Sequence, residues 1–133
     1  MPEPDAKTET RTYDGGCSCG WVRYRVTGRP IWTANCHCRS CRRSTGAAMA
    51  SYAGYLKDNF TFLSDDPATY NPSPFVARTF CARCGTSLTY QGDRWPGEIH
   101  IHVGSLDDPE QFAPEGDAFE EQRLSWLHLA KPD

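Results

Sequence analysis

Seven cysteines in three tight groups are the residues of this chain most able to carry chemistry. The groups are Cys17 and Cys19; Cys36, Cys38 and Cys41; and Cys81 and Cys84. Tetrahedral zinc takes four thiolate or imidazole donors, and short-spaced cysteines on separate loops can supply them. If the cysteines were simply buried apolar side chains, nothing would require this clustering. The spacing therefore predicts bound zinc.

The first and last groups each end in a glycine, Gly20 and Gly85. Glycine lets the backbone turn sharply with positive φ, which brings amide groups towards the sulfurs. We therefore pair the two groups as one closed structural site formed by Cys17, Cys19, Cys81 and Cys84. Such a site closes a long loop, and structural zinc contributes about 10 to 16 kcal/mol of coupled folding free energy. Loss of this site is expected to unfold the protein.

The middle group offers three thiolates, Cys36, Cys38 and Cys41, with no fourth cysteine left in the chain. Catalytic zinc commonly keeps three protein ligands and one open position, whereas structural zinc closes its shell. Three thiolates leave Zn²⁺ with a net charge of about -1, so a fourth, substrate-derived thiol would be held ionised and nucleophilic. The sequence therefore predicts a second, catalytic zinc at these three cysteines.

Three arginines, Arg39, Arg42 and Arg43, lie beside the middle group. They could offset its negative charge and hold a substrate carboxylate through bidentate hydrogen bonds. The alternative is that they serve only as charge compensation or lie on a solvated face.

Histidines offer a second interpretation of the middle group, as a structural site closed by an imidazole. His37 lies between two cysteines, where an extended backbone would point it away from them. His100 and His102 alternate with Ile99, Ile101 and Val103, so both project from one strand face and are better closing ligands. A solvated face is the plainer expectation for that pair. His128 is expected to be a packed or surface residue.

Composition and charge narrow the classes of function. A chain of 133 residues is most simply one domain, and its net charge of -3 gives no general attraction to nucleic acid. The N-terminus lacks the apolar region of a signal peptide, and no window is apolar enough for a membrane span. A cytoplasmic location is expected, where disulfides are rare and cysteines serve metal binding or catalysis. Small-molecule or protein partners fit best.

The periodicity predicts a mainly β fold with small antiparallel sheets and little helix. In 21–26, Val22, Tyr24 and Val26 share one face, and Arg23 and Arg25 share the other. The strand candidates are 21–26, 31–34, 48–52, 60–63, 75–80, 87–90 and 98–103. Helical turns are expected at 40–45 and after Asp108-Pro109, and 65–74 is expected to be a surface loop. Residues 1–12 are expected to be a disordered leader before a single zinc-binding domain at 13–133.

Several motifs, taken in their order along the chain, resemble those of a known family. They are Gly-Gly-Cys-Ser-Cys-Gly at 15–20, Gly-Arg-Pro at 28–30, Cys-His-Cys-Arg-Ser-Cys-Arg-Arg-Ser-Thr-Gly-Ala at 36–47, Phe-Cys-Ala-Arg-Cys-Gly-Thr-Ser-Leu at 80–88 and Gly-Ser-Leu-Asp-Asp-Pro at 104–109. In this order, over about 15–129, they resemble the glutathione-dependent formaldehyde-activating enzymes, a family that includes centromere protein V-like zinc-binding proteins.

The resemblance implies a tent-like arrangement of sheets around two zinc ions, divided between the cysteines as above. It also implies a carbon-sulfur lyase whose named reaction joins glutathione and formaldehyde into S-(hydroxymethyl)glutathione. Family members often carry a histidine near 117, where this chain has Asp117. Asp117 is then a candidate ligand for metal or for a polar substrate group, which leaves the thiol and the aldehyde open. A non-catalytic zinc module for a protein or peptide partner is the alternative.

Overall fold

The fold is built from two β-sheets. The computed structural model describes residues 10–64 and 67–130. In chain order the elements are β1 (Thr12–Gly16), β2 (Arg23–Thr27), β3 (Trp32–Cys36), α1 (Arg39–Thr45), β4 (Ala50–Leu56), β5 (Phe60–Phe62), β6 (Ala68–Ser73), β7 (Val76–Phe80), β8 (Ser87–Gly92), β9 (Glu98–His102) and β10 (Asp117–Ala118). Short 3₁₀ helices lie at Lys57–Asn59, Val103–Ser105, Pro109–Phe112 and Glu120–Gln122. The prediction of a mainly β fold with little helix is confirmed.

The strands follow a simple order. The smaller sheet runs β1-β2-β5, and the larger runs β10-β3-β4-β9-β8-β7-β6. All neighbouring strands are antiparallel except β10, which lies parallel to β3. The described helices are all far too short to cross a membrane, α1 having seven residues.

The main core is shared by the two sheets. The face predicted for the second strand is correct, since Val22, Tyr24 and Val26 are fully buried while Arg25 is exposed. The ring of Tyr24 stacks on Phe60 at 5.4 Å between centroids. The larger sheet contributes one face to this core, with the side chains Ala53, Tyr55, Ile99, Ile101 and Leu88.

A second, smaller cluster lies on the other side of β4. Adjacent residues of a strand point to opposite faces, so Tyr52 leaves the main core to which Ala53 belongs. Tyr52 packs with Cys36, Cys41 and Ala50. The larger sheet thus has one face for the core and one for the middle cysteine group.

The N-terminal strand was not predicted. β1 begins at Thr12, the last residue of the expected leader, while 1–9 lie outside the described residues. Its sequence contains Asp14, Gly15 and Gly16, which have low strand propensity. Pairing with β2 overrides that propensity, and Arg25 donates to the Asp14 carboxylate at 2.7 Å.

The expected loop at 65–74 is wrong for most of its length. Residues 68–73 form β6, the last strand of the larger sheet, although they include Pro72. An edge strand has one unpaired side, so a proline lacking its amide hydrogen is tolerated there, and the pairing of β6 with β7 shifts register between Tyr70 and Ser73. Asp65 and Asp66 lie outside the described residues.

The two predicted helical turns are both present. The turn expected at 40–45 is α1, which starts one residue earlier, ends at Thr45 and is followed by the C-cap Gly46 with φ 70°. The turn expected after Asp108 is the 3₁₀ helix Pro109–Phe112, with proline in its first turn. Asp108 makes no side-chain hydrogen bond to that helix, so proline rather than capping explains the start.

Candidate functional site

The first and last cysteine groups meet at one place. Cys17 and Cys19 follow β1, and Cys81 and Cys84 follow β7. The Sγ atoms of Cys17 and Cys19 are 3.6 Å apart, those of Cys19 and Cys81 are 3.8 Å apart, and all four sulfurs lie within 4.8 Å of one another. A tetrahedron with zinc-sulfur bonds of about 2.3 Å has edges of about 3.8 Å, so this donor set fits zinc.

Two matching turns hold these sulfurs in place. Gly20 and Gly85 both have φ 81°, as the sequence predicted, and their amides donate to the carbonyls of Cys17 and Cys81 at 3.1 and 2.8 Å. The amide of Val22 also donates to Cys17 Sγ at 3.2 Å. Amide donors favour the ionised thiolate, which is the form that binds a metal.

The middle group lies at the junction of β3 and α1. Cys36 is the last residue of β3, Cys38 is the N-cap of α1 and Cys41 lies in its first turn. The Cys41 amide donates to Cys38 Sγ at 3.3 Å, and the Sγ atoms of Cys36 and Cys41 are 3.1 Å apart. The three sulfurs lie within 4.8 Å of one another, and among the described residues no histidine or carboxylate joins them. The group is compatible with zinc held by three protein ligands.

The histidines lie elsewhere. His100 and His102 are 5% and 9% exposed, so the expectation of a solvated face is wrong, yet neither belongs to the sulfur group. His37 is fully buried, and its Nε2 lies 2.8 Å from Oδ1 of Asp117. The acidic residue at the position where the family often has histidine therefore pairs with a buried imidazole. His128 is exposed.

Tyr52 and Arg78 contact the sulfur of Cys41, and neither was singled out from the sequence. The Tyr52 hydroxyl donates to Cys41 Sγ at 3.4 Å and accepts from Arg78 Nη1 at 3.2 Å. Arg78 Nη2 reaches Ser40 Oγ at 3.0 Å and Cys41 Sγ at 3.7 Å, and the side chain is only 7% exposed. Contact with Cys36, and then with Tyr52 and Arg78, lowers the pKa of Cys41 to about 5, while the same contact raises the pKa of Cys36.

The predicted arginines lie on α1, outside the cavity described below. Arg39 and Arg43 are exposed, and Arg42 is half-buried. The Arg39 amide donates to Gln122 Oε1 at 3.0 Å, and Arg43 borders a neighbouring depression that His102 also lines. A cation that does contact a sulfur of the group is Arg78, which lies on β7, far along the chain.

A cavity of about 410 Å³ opens beside the three cysteines. Its walls are largely aromatic, formed by Trp32, Tyr52, Tyr90, Trp95, His100 and Phe119. All three cysteines of the middle group line it, together with the cations Arg78 and Arg94. The alternation in 98–103 pointed to a common face for His100 and His102, but only the strand order of the larger sheet brings the other rings to that face.

Comparison with known protein families agrees with the order of the motifs and with the two sulfur groups. The family model of the glutathione-dependent formaldehyde-activating enzyme matches residues 12–122, which include every cysteine. This chain belongs to that family. The resemblance drawn from the motifs is thereby confirmed.

Individual relatives are more distant. A Halomonas elongata protein, provisionally named a glutathione-dependent formaldehyde-activating enzyme, is 30% identical over 113 residues, which cover 77% of this chain and 70% of that protein. An uncharacterized lyase of Schizosaccharomyces pombe is 26% identical over 59% of this chain and 56% of its own length. A crystal structure of a Rhodobacter sphaeroides protein matches with a TM-score of 0.65 at 22% identity, covering 79% of this chain and 99% of that one. This last match shows a shared fold.

Proposed function

We propose that this protein is a zinc-dependent carbon-sulfur lyase that joins a thiol, such as glutathione, to formaldehyde or another small aldehyde and also cleaves the adduct. The observation that carries the proposal is the open sulfur group. Cys36, Cys38 and Cys41 converge beside a cavity, and no further metal-binding side chain joins them among the described residues. The names of the family and of two relatives, one a lyase, support the same reaction class.

The two sulfur groups have different tasks in this proposal. Cys17, Cys19, Cys81 and Cys84 would hold a structural zinc, since four thiolates close a tetrahedral shell. Cys36, Cys38 and Cys41 would hold a catalytic zinc, which when bound keeps a substrate thiol ionised. The seven cysteines all have free thiols, which suits the reducing cytoplasm in which we place the activity.

Contact with Cys36, and then with Tyr52 and Arg78, lowers the pKa of the Cys41 thiol and holds its sulfur in place. The hydroxyl of Tyr52 and the guanidinium of Arg78 donate towards its sulfur and offset the negative charge of three thiolates. In the forward reaction the thiol loses its proton, a carbon-sulfur bond forms at the carbonyl carbon, and the carbonyl oxygen takes up a proton. The cleavage direction reverses each change. The substrate-binding role of Arg39, Arg42 and Arg43 stays a prediction.

A rate measurement tests the proposal. Glutathione and formaldehyde also combine without a catalyst, so the exchange between free and adduct glutathione, followed by NMR without protein, is the baseline. Zinc-loaded protein is expected to accelerate the exchange. Cys38→Ser is expected to abolish the acceleration, because the substitution removes one thiolate, while the serine hydroxyl can still cap α1. Trp126→Ala is the control, because Trp126 is exposed and lies outside the cavity. Equal rates with and without the wild-type protein, for every thiol and small aldehyde tried, would refute the activity.

The non-catalytic zinc module is less well supported. It requires a closed shell, for which His100 and His102 were the candidate ligands. Both instead pack against other rings, with His102 at 4.6 Å from Tyr52 and His100 at 4.5 Å from Trp32. This arrangement favours the enzyme.

A further inference from the structure

We propose that the cavity selects a thiol that carries an aromatic ring and a single anionic group, in preference to glutathione. The inference rests on the proposed function, because it takes the three cysteines as the place where the thiol sulfur binds. It adds the chemical class of the rest of the substrate. The argument rests on the rings of the cavity, on their hydrogen bonds and on the distribution of charge around them.

The rings gather around His100. Trp32, Tyr90 and Trp95 have ring centroids 4.5, 5.4 and 5.7 Å from that of His100. Gly54 lies between Trp32 and His100 in the pairing of β3, β4 and β9, and its missing side chain lets the indole reach across. Aromatic walls of this kind favour a flat ring in edge or offset contact.

The polar atoms of Trp32, His100 and Tyr52 are already engaged. Trp32 Nε1 donates to Glu98 Oε1 at 2.9 Å, and His100 Nε2 lies 3.2 Å from the same oxygen. The Tyr52 hydroxyl is shared between Cys41 and Arg78. Burial lowers the pKa of His100, so the imidazole is neutral near pH 7. These three side chains therefore present mainly carbon to a substrate, and the unpaired polar ring atoms of the walls are the Tyr90 hydroxyl and the Trp95 indole nitrogen among the described residues.

Arg94 is an exposed cation that lines this space. The guanidinium carbon of Arg94 lies 5.7 Å from the ring of Trp95 and 5.2 Å from that of Phe119, and Arg94 makes no hydrogen bond or ion pair to the described part of the chain. Both terminal nitrogens of Arg78, by contrast, are occupied. The cavity thus offers a partner for one anionic group on the side of Trp95 and Phe119.

Glutathione suits this lining poorly. It has two carboxylates, an ammonium group and two amides, and each loses hydration when it enters an apolar cavity. No carboxylate of the described residues lines the space, so the ammonium group has no ionic partner there. A volume of about 410 Å³ accepts a substituted benzene ring with a short thiol arm.

Calorimetry on the zinc-loaded full chain tests the inference. The probes are 4-(mercaptomethyl)benzoate, benzyl mercaptan, 3-mercaptopropionate and glutathione. We expect 4-(mercaptomethyl)benzoate to bind at least about tenfold more tightly than 3-mercaptopropionate or glutathione, because its ring is removed from water against the aromatic walls. Trp95→Ala should remove most of that preference, and its zinc content and circular dichroism report whether the fold and the metal site are intact.

A second variant tests the anion position. Arg94→Gln should weaken 4-(mercaptomethyl)benzoate severalfold and leave benzyl mercaptan unchanged, and Trp126→Ala should alter neither. Equal or tighter binding of glutathione would overturn the inference and leave the proposed function standing. If none of the four thiols binds, the proposed function fails, and the inference fails with it.

Discussion

At the scale of single residues, Cys41 is the most heavily contacted sulfur of the open group. The sulfur of Cys36, the hydroxyl of Tyr52 and the guanidinium of Arg78 lie 3.1, 3.4 and 3.7 Å from its Sγ. Tyr52 links Cys41 to Arg78, because its hydroxyl donates to the Cys41 sulfur and accepts from the Arg78 guanidinium. Since all these groups are buried, each depends on its partners for hydrogen bonds.

Tyr52→Phe tests this arrangement. The change removes an acceptor from the buried Arg78 and a donor from Cys41, so we expect a loss of about 1 to 3 kcal/mol in the free energy of unfolding. Urea unfolding of zinc-loaded protein measures it. Tyr90→Phe is the matched control, because the Tyr90 hydroxyl makes no hydrogen bond to the described residues. Equal losses in the two variants would contradict the role given to Tyr52.

Asp117→Ala tests the pair formed with His37. The imidazole is fully buried and its Nδ1 has no partner among the described residues, so removing the carboxylate leaves both nitrogens unsatisfied. We expect a loss of about 1 to 3 kcal/mol in unfolding free energy. Asp117→Asn should retain most of the stability, since its amide oxygen can replace the carboxylate oxygen. If the alanine variant were as stable as the wild-type protein, the pair would have no structural role.

At the scale of elements, close approach between strands decides where glycine is needed. A Cβ at Gly54 would collide with the indole of Trp32, and one at Gly15 would collide with the hydroxyl of Tyr24. Both glycines lie inside strands, where sequence rules count glycine as unfavourable. Packing against a large ring on the neighbouring strand overrides that rule.

Gly54→Ala is therefore expected to destabilise the protein. The added methyl group must displace Trp32 from its place beside His100, at a cost of about 1 to 3 kcal/mol. Gly104→Ala is the control, because a Cβ there meets no atom within 4 Å. Thermal unfolding of the two variants side by side measures the difference. Similar melting temperatures would show that the indole yields without cost.

Part of the fold could be predicted from the sequence, and the packing of the strands explains which part. Alternation identified the second strand because Val22, Tyr24 and Val26 all face the core. Local propensity failed for β1, where pairing compensates two glycines, and for β6, where an edge position accepts Pro72. Cysteine spacing predicted both sulfur groups because the ligands of a group are near in sequence or follow matching turns.

The cavity could not be predicted in the same way. Tyr52, Arg78 and Arg94 come from different strands and turns, and they meet only because of the strand order β3-β4-β9-β8-β7. Arg39, Arg42 and Arg43 were chosen because they lie beside the middle cysteines in sequence, whereas the cations that line the cavity are Arg78 and Arg94.

At the scale of the whole molecule, the two sulfur groups connect different parts of the fold. Cys17 and Cys19 follow a strand of the smaller sheet, and Cys81 and Cys84 connect β7 and β8 of the larger one. A zinc ion bound by all four cysteines would cross-link the smaller sheet to the larger one. The open group instead lies within the larger sheet and its short helix, so its metal would hold together only local structure.

A comparison of two serine variants tests this division most directly, by zinc content and circular dichroism on freshly purified protein. We expect two zinc ions per wild-type chain, and Cys41→Ser should retain the native spectrum and one zinc. Cys81→Ser should lose the folded spectrum, because structural zinc contributes about 10 to 16 kcal/mol of coupled folding free energy. Equal destabilisation by the two substitutions, or a folded Cys81→Ser protein, would contradict the assignment of one structural and one catalytic site.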